Sequence, residues 1–168
     1  MTVNAKSLLL KVKQSTKALK VTGLAAGDRV ASWTSSNKKI VTVTGSGKIT
    51  AKNKTGKATI TIKLASGLRK EIPVTVQKKA VTTKKITGLK KSVTLKRGAT
   101  LSLEPVIEPI TSSQKVTYSS SNKKVATVTS KGKITAKSAG TVKITVKSGS
   151  KKFTVKVTVP KVKTTAIK

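Results

Sequence analysis

The chain is predicted to be all-β, folding as two β-sandwich domains in tandem, and three observations predict it. A phrase recurs. Trp33-Thr34-Ser35-Ser36-Asn37-Lys38-Lys39-Ile40, running through Gly47-Lys48-Ile49-Thr50-Ala51-Lys52 to Gly56, returns as Tyr118-Ser119-Ser120-Ser121-Asn122-Lys123-Lys124-Val125, running through Gly132-Lys133-Ile134-Thr135-Ala136-Lys137 to Gly140. The spacing, eighty-five residues, exceeds an ordinary solenoid unit, so each copy is expected to be a small domain with its own core. Apolar residues also alternate with Lys and Thr at period two, the pattern of half-buried strands. Finally, the apolar material is Val, Ile, Leu and Ala, with Trp33, Tyr118 and Phe153 the only aromatics, a diet suited to strands.

Each element follows from local pattern. In the first copy Val43 and Ile49 flank Gly45-Ser46-Gly47 as a hairpin, and Ile60 and Ile62 are joined through Ser66-Gly67 to Ile72, Val74 and Val76. In the second, Val125 to Val128 and Ile134 to Ala136 flank Ser130-Lys131-Gly132, whose glycine can take positive φ. Val142, Ile144 and Val146 then alternate with Thr141, Lys143, Thr145 and Lys147, and turn at Ser148-Gly149-Ser150 into Val155, Val157 and Val159. Six or seven short strands per repeat and no helical period are expected. The Lys/Thr-rich stretch 77–85 reads as a linker, giving domains at 1–80 and 81–160. Residues 161–168 read as the start of a truncated third repeat, or a tail.

Charge is the strongest compositional signal. The 168 residues carry 37 basic side chains against four acidic ones, a net +33, and only Arg29, Arg69 and Arg97 are arginine. Such a surface repels itself and attracts polyanions, more weakly as salt rises. Without cysteine there is no disulfide framework or thiol chemistry. The longest aliphatic run, Leu8-Leu9-Leu10, is too short for a signal-peptide core or a membrane span, so Met1 reads as the start of a mature fragment and membrane insertion is not expected.

The repeated phrase resembles the bacterial immunoglobulin-like domain, group 2. In the second copy Tyr118, Ser120, Ser121, Asn122, Val125-Ala126-Thr127-Val128, Gly132, Ile134-Thr135-Ala136, Gly140 and Ile144 carry the resemblance. In the first, Trp33, Ser35, Ser36, Asn37, Ile40, Val43, Gly47, Ile49-Thr50-Ala51, Gly56 and Ile60 carry it. Tyr118 stands where Trp is more usual, Val41 where Ala126 fits the pattern, and the lysine load is heavier than in a typical member. The resemblance implies two tandem immunoglobulin-like β-sandwich domains, an extracellular setting on a bacterial cell surface or in a secreted protein, and no shared catalytic residues. Fold alone does not give function.

Catalysis and metal binding find little support. There is no His or Cys, and the acids are Asp28, Glu71, Glu104 and Glu108. Glu104 and Glu108 stand four apart around prolines and read as charge relief rather than a general acid/base pair. Calcium needs several carboxylates in one loop, so no metal and no cofactor is expected. A Lys–Asn isopeptide crosslink would need a buried acid beside Asn122, with Glu104 or Glu108 the only candidates. Asn37 has no such acid and reads as a turn former. Trp33 and Tyr118 occupy one repeat position and read first as half-buried anchors of the sandwich, second as sugar-stacking platforms.

The lysines remain. Outward strand positions Lys143, Lys147 and Lys156, with the repeated pairs Lys38-Lys39 and Lys123-Lys124, are the candidate polyanion contacts. Lysine is a point charge without arginine's planar fork, so contact would be adhesive rather than geometrically selective. Specific nucleic-acid binding is not expected, because stacking aromatics and helix-turn-helix or zinc patterns are missing. The expected function is a non-catalytic structural or adhesive module, monomeric within a longer multi-domain chain, that spaces or anchors it on anionic cell-wall polymer or acidic glycan. The alternative is a carbohydrate-binding accessory domain of a secreted glycan-degrading enzyme.

Overall fold

The computed structural model describes residues 1–162 and is all-β, with no helix among them. The expected third-repeat start falls mostly on residues 163–168, outside the described residues. Two compact units divide the chain: Met1–Thr82 with Pro109–Ser113, and Thr83–Glu108 with Gln114 onward. Among the described residues each contains nine strands rather than six or seven.

The first unit runs β1 (Thr2–Val3), β2 (Leu8–Lys11), β3 (Ser15–Thr16), β4 (Val21–Thr22), β5 (Val30–Ser35), β6 (Val41–Val43), β7 (Ile49–Ala51), β8 (Gly56–Leu64) and β9 (Arg69–Gln77). A four-stranded sheet ordered β2-β9-β8-β5 and a three-stranded sheet β3-β7-β6 form the sandwich, and β1 pairs with β4. The long hairpin sets Ile60 opposite Ile72 and Ala58 opposite Val74. Ile60, Ile62, Ile72 and Val74 are fully buried and meet Val41 and Ile49 of the smaller sheet in one core.

The second unit repeats this order as β10 (Lys85–Thr87), β11 (Ser92–Thr94), β12 (Thr100–Ser102), β13 (Val106–Glu108), β14 (Val116–Ser120), β15 (Ala126–Val128), β16 (Lys133–Ala136), β17 (Gly140–Ser148) and β18 (Lys151–Val159). Its sheets are β11-β18-β17-β14 and β12-β16-β15, with β10 pairing β13. Ile144 lies opposite Val155 and Val142 opposite Val157, all buried with Ile134 and Ala126. Ser148, fully buried at the end of β17, shares a 2.7 Å hydrogen bond with the Thr83 hydroxyl, which satisfies both groups away from water.

Alternation in these strands is as the sequence predicts, but β18 is not purely antiparallel. β11 runs parallel to it, as β2 does to β9. The Lys/Thr-rich stretch 77–85 is held at two points, since Val81 and Thr83 are both buried.

Candidate functional site

The outward face of the second unit's larger sheet is built by register. β17 and β18 align Lys143 with Lys156, Thr145 with Thr154, and Lys147 with Lys152. Opposing residues of an antiparallel pair have Cα atoms about 4.5–5.5 Å apart, and positions four apart along a strand lie about 13 Å apart. Four exposed lysines therefore form two like-charge pairs on one face. Neighbouring strands flank them with hydroxyls, Ser92 beside Lys156 and Thr117 beside Lys147. Lys152 was missed by the sequence reading, although its place three residues before Val155 in an alternating strand was the available signal.

The same face of the first unit differs. There Thr59 faces Pro73, Thr61 faces Glu71, and Lys63 faces Arg69. One basic pair and an acid replace two basic pairs.

Lys38, Lys39, Lys123 and Lys124 are also exposed, in the loops that carry the chain from the larger sheet to the smaller one. Each loop is held by its serines and asparagine. The Ser35 hydroxyl donates to Val41 O at 2.7 Å, and the Asn37 side-chain oxygen accepts from Lys39 N–H at 3.1 Å. Ser120 donates to Ala126 O at 2.6 Å, and Asn122 accepts from Lys124 N–H at 3.0 Å. Ser36 and Ser121 tie the loops to the neighbouring strand of the larger sheet, β8 or β17, accepting from Thr59 N–H and Lys143 N–H. The repeated Ser-Ser-Asn-Lys-Lys phrase is thus a crossover knot, with asparagine as the turn former that the sequence suggests.

Beside each knot lies a groove. Trp33, Thr34, Ser35, Lys38, Thr42 and Val43 line one of about 330 Å³, and Tyr118, Ser119, Ser120, Lys123, Thr127 and Val128 line one of about 320 Å³. Every lining position of the first has its repeat equivalent in the second. Trp33 and Tyr118 are half-buried and pack against their cores, as the anchor reading predicts. Burial pushes the Tyr118 hydroxyl above its ordinary pKa. Lys39 and Lys124 do not line these grooves.

The acids are dispersed. Glu104 and Glu108 are exposed, and Glu108 accepts from the Thr87 hydroxyl at 3.1 Å. Neither is the buried acid that an isopeptide bond at Asn122 requires. Among the described residues, no three metal-ligating side chains cluster and no helix is long and apolar enough to cross a membrane.

Comparison with known proteins agrees with the second copy of the repeated phrase. Residues 80–159 match the family model described as bacterial Ig-like domain (group 2). A kappa-carrageenase of Pseudoalteromonas carrageenovora is 49% identical over 59 residues, covering 34% of this chain and only 15% of that protein. Domains 4 and 5 of the S-layer protein SbsC align over 84% of this chain and 75% of theirs, at 24% identity and a TM-score of 0.43. A xylanase from termite gut that contains a bacterial Ig-like domain aligns over 40% of this chain and 18% of its own, at 25% identity and a TM-score of 0.35. Residues 80–159, within the second repeat, thus carry a match to the bacterial Ig-like domain family, group 2.

Proposed function

We propose that the chain is a non-catalytic adhesive module of a bacterial surface or secreted protein, holding it to anionic polymer through lysine faces. The observation that carries this reading is the acid-free face of β17 and β18, where Lys143 opposes Lys156 and Lys147 opposes Lys152. Like charges directly opposite each other on a sheet are destabilising. Two such pairs are a standing cost unless an external anion neutralises them. Solubility alone would be served by lysines placed anywhere on the surface. A polymer with many anionic groups contacts both pairs at once and releases its counterions, so individually weak contacts add. The family match and the similarity to a stretch of a carrageenase support an accessory role beside larger domains.

The test is retention of the whole chain on immobilised teichoic acid, heparin and a neutral glucan across a salt series. Retention on the polyanions alone, falling steeply with salt, is expected. Replacing Lys143, Lys147, Lys152 and Lys156 together by glutamine should make the salt dependence shallower by on the order of one slope unit per lysine, by analogy with phosphate contacts. An unchanged slope in the quadruple variant would remove this face from the mechanism. Equal retention on the neutral glucan at high salt would remove the mechanism altogether.

A further inference from the structure

The two grooves carry a second inference, which rests on the polyanion reading only for the sign of its ligand. We infer that each groove binds one pyranose unit of an acidic glycan, the sugar ring against Trp33 or Tyr118 and its sulfate or carboxylate on Lys38 or Lys123.

The grooves match at all six lining positions, and each position has the same degree of exposure in both units. Core packing explains an aromatic anchored on one side. It does not require an exposed lysine and an exposed hydroxyl around the other. The volumes, about 330 and 320 Å³, sit at the small end of the range for ligand sites, about 300–1,000 Å³.

Each lining group has a matching role. An aromatic ring presents a negative face to C–H groups, which a sugar ring offers in quantity. The Ser35 and Ser120 hydroxyls are committed to the knot, whereas Thr34 and Ser119 lie exposed at the rim. Asn37 and Asn122 fix the loops from which Lys38 and Lys123 rise, so local structure sets the backbone of each lysine at the groove that its aromatic residue also lines. A neutral sugar would leave that charge unused, and a bare anion would leave the ring unused. The acidic sugar uses both.

Trp33 is the only tryptophan in the chain, so its fluorescence reports the first groove directly. The probes are short kappa-carrageenan oligosaccharides (a sulfated galactan), their desulfated counterparts, inorganic sulfate and oligo-dT, each at about 0.15 M salt. The sulfated oligosaccharides should shift Trp33 emission saturably and protect it from acrylamide, with inorganic sulfate inert. Lys38→Gln should weaken the titration by about three- to tenfold, as expected for one charge-assisted contact at an exposed site. A Trp33→Phe, Tyr118→Trp variant should report the second groove in the same way and respond to Lys123→Gln.

Trp33 emission unmoved by an oligosaccharide that the chain still retains salt-dependently would overturn the grooves and leave the lysine face standing. Retention lost in the quadruple lysine variant with the Trp33 titration intact would show that the grooves act independently. A stronger response to oligo-dT, or an equal response to desulfated sugar, would overturn the assignment to an acidic glycan.

Discussion

Gly132 lies against the ring of Tyr118: a Cβ added there would come within 2.8 Å of Tyr118 Cζ, and one at Gly47 within 3.0 Å of Trp33 Cζ2. Both glycines sit in hairpin turns at positive φ, +81° and +76°. The aromatic anchor and the glycine are therefore one device in each unit, with the turn backbone laid on the ring.

Gly47→Ala should destabilise the first unit more than Gly27→Ala does. Gly27 has nearly the same φ, +79°, but nothing within 4 Å of an added Cβ. The left-handed conformation alone costs a non-glycine residue about 1–2 kcal/mol, and forcing a methyl into a filled space adds about 1–3 kcal/mol. Urea unfolding followed at Trp33 separates the two terms. Equal midpoints for the two variants would show that the ring yields freely and does not anchor the turn.

Ser35→Ala should cost about 1 kcal/mol, the usual net worth of an intramolecular hydrogen bond. Its hydroxyl both donates to Val41 O and accepts from Asn37 N–H, which joins the four-stranded sheet to the three-stranded one. Ser46→Ala, at a hairpin tip where the hydroxyl meets that of Thr44, should change stability by less than about 0.5 kcal/mol. If Ser35→Ala proved equally silent, the knot would be a consequence of the crossover rather than a cause.

These two cases mark what was legible in the sequence. Period-two alternation placed Val142, Ile144, Val146, Val155, Val157 and Val159 on a buried face, and all six are buried. It places residues on faces, however, and does not choose partners. The parallel pairing of β11 with β18, through Val93 opposite Val157, joins segments more than sixty residues apart and leaves no local signature. Short strands such as β1 and β4, two residues each, are too brief to show a period. The repeat displayed the aromatic, the asparagine and the glycine separately. Only folding brings Gly47 to Trp33, Lys38 to the Trp33 groove and Lys152 to Lys147.

Lys143→Thr should raise stability in dilute buffer by roughly 0.2–1 kcal/mol, because it removes one member of a directly opposed like-charge pair. The first unit already has threonine there, Thr59, facing Pro73. The gain should fade at high salt, where repulsion is screened, and retention on polyanions should weaken in the same variant. Thermal unfolding at two salt concentrations checks it. A gain that persists undiminished in high salt would have to come from strand propensity rather than charge.

Asp28 supplies a pH-dependent clasp in the first unit. Its carboxylate accepts from the Ser66 hydroxyl at 2.7 Å, from Ser66 N–H at 3.2 Å and from Arg29 N–H at 2.9 Å, tying the entry to β5 to the turn between β8 and β9. The Ser66 hydroxyl is the main reason that its pKa lies below the ordinary carboxylate value. The two backbone N–H groups act in the same direction and partial desolvation opposes them. A carboxylate depressed on folding contributes stability that is fully present above its unfolded pKa, about 4, and is lost as pH falls through the lower folded value. The difference in unfolding midpoint between the wild-type chain and Asp28→Asn should therefore be constant from neutral pH down to about 5 and shrink below about 4. Ser66→Ala should return the Asp28 titration, followed by carboxyl NMR, towards the ordinary value. A midpoint difference that does not change with acid would mean that the clasp works through its geometry and owes nothing to the charge.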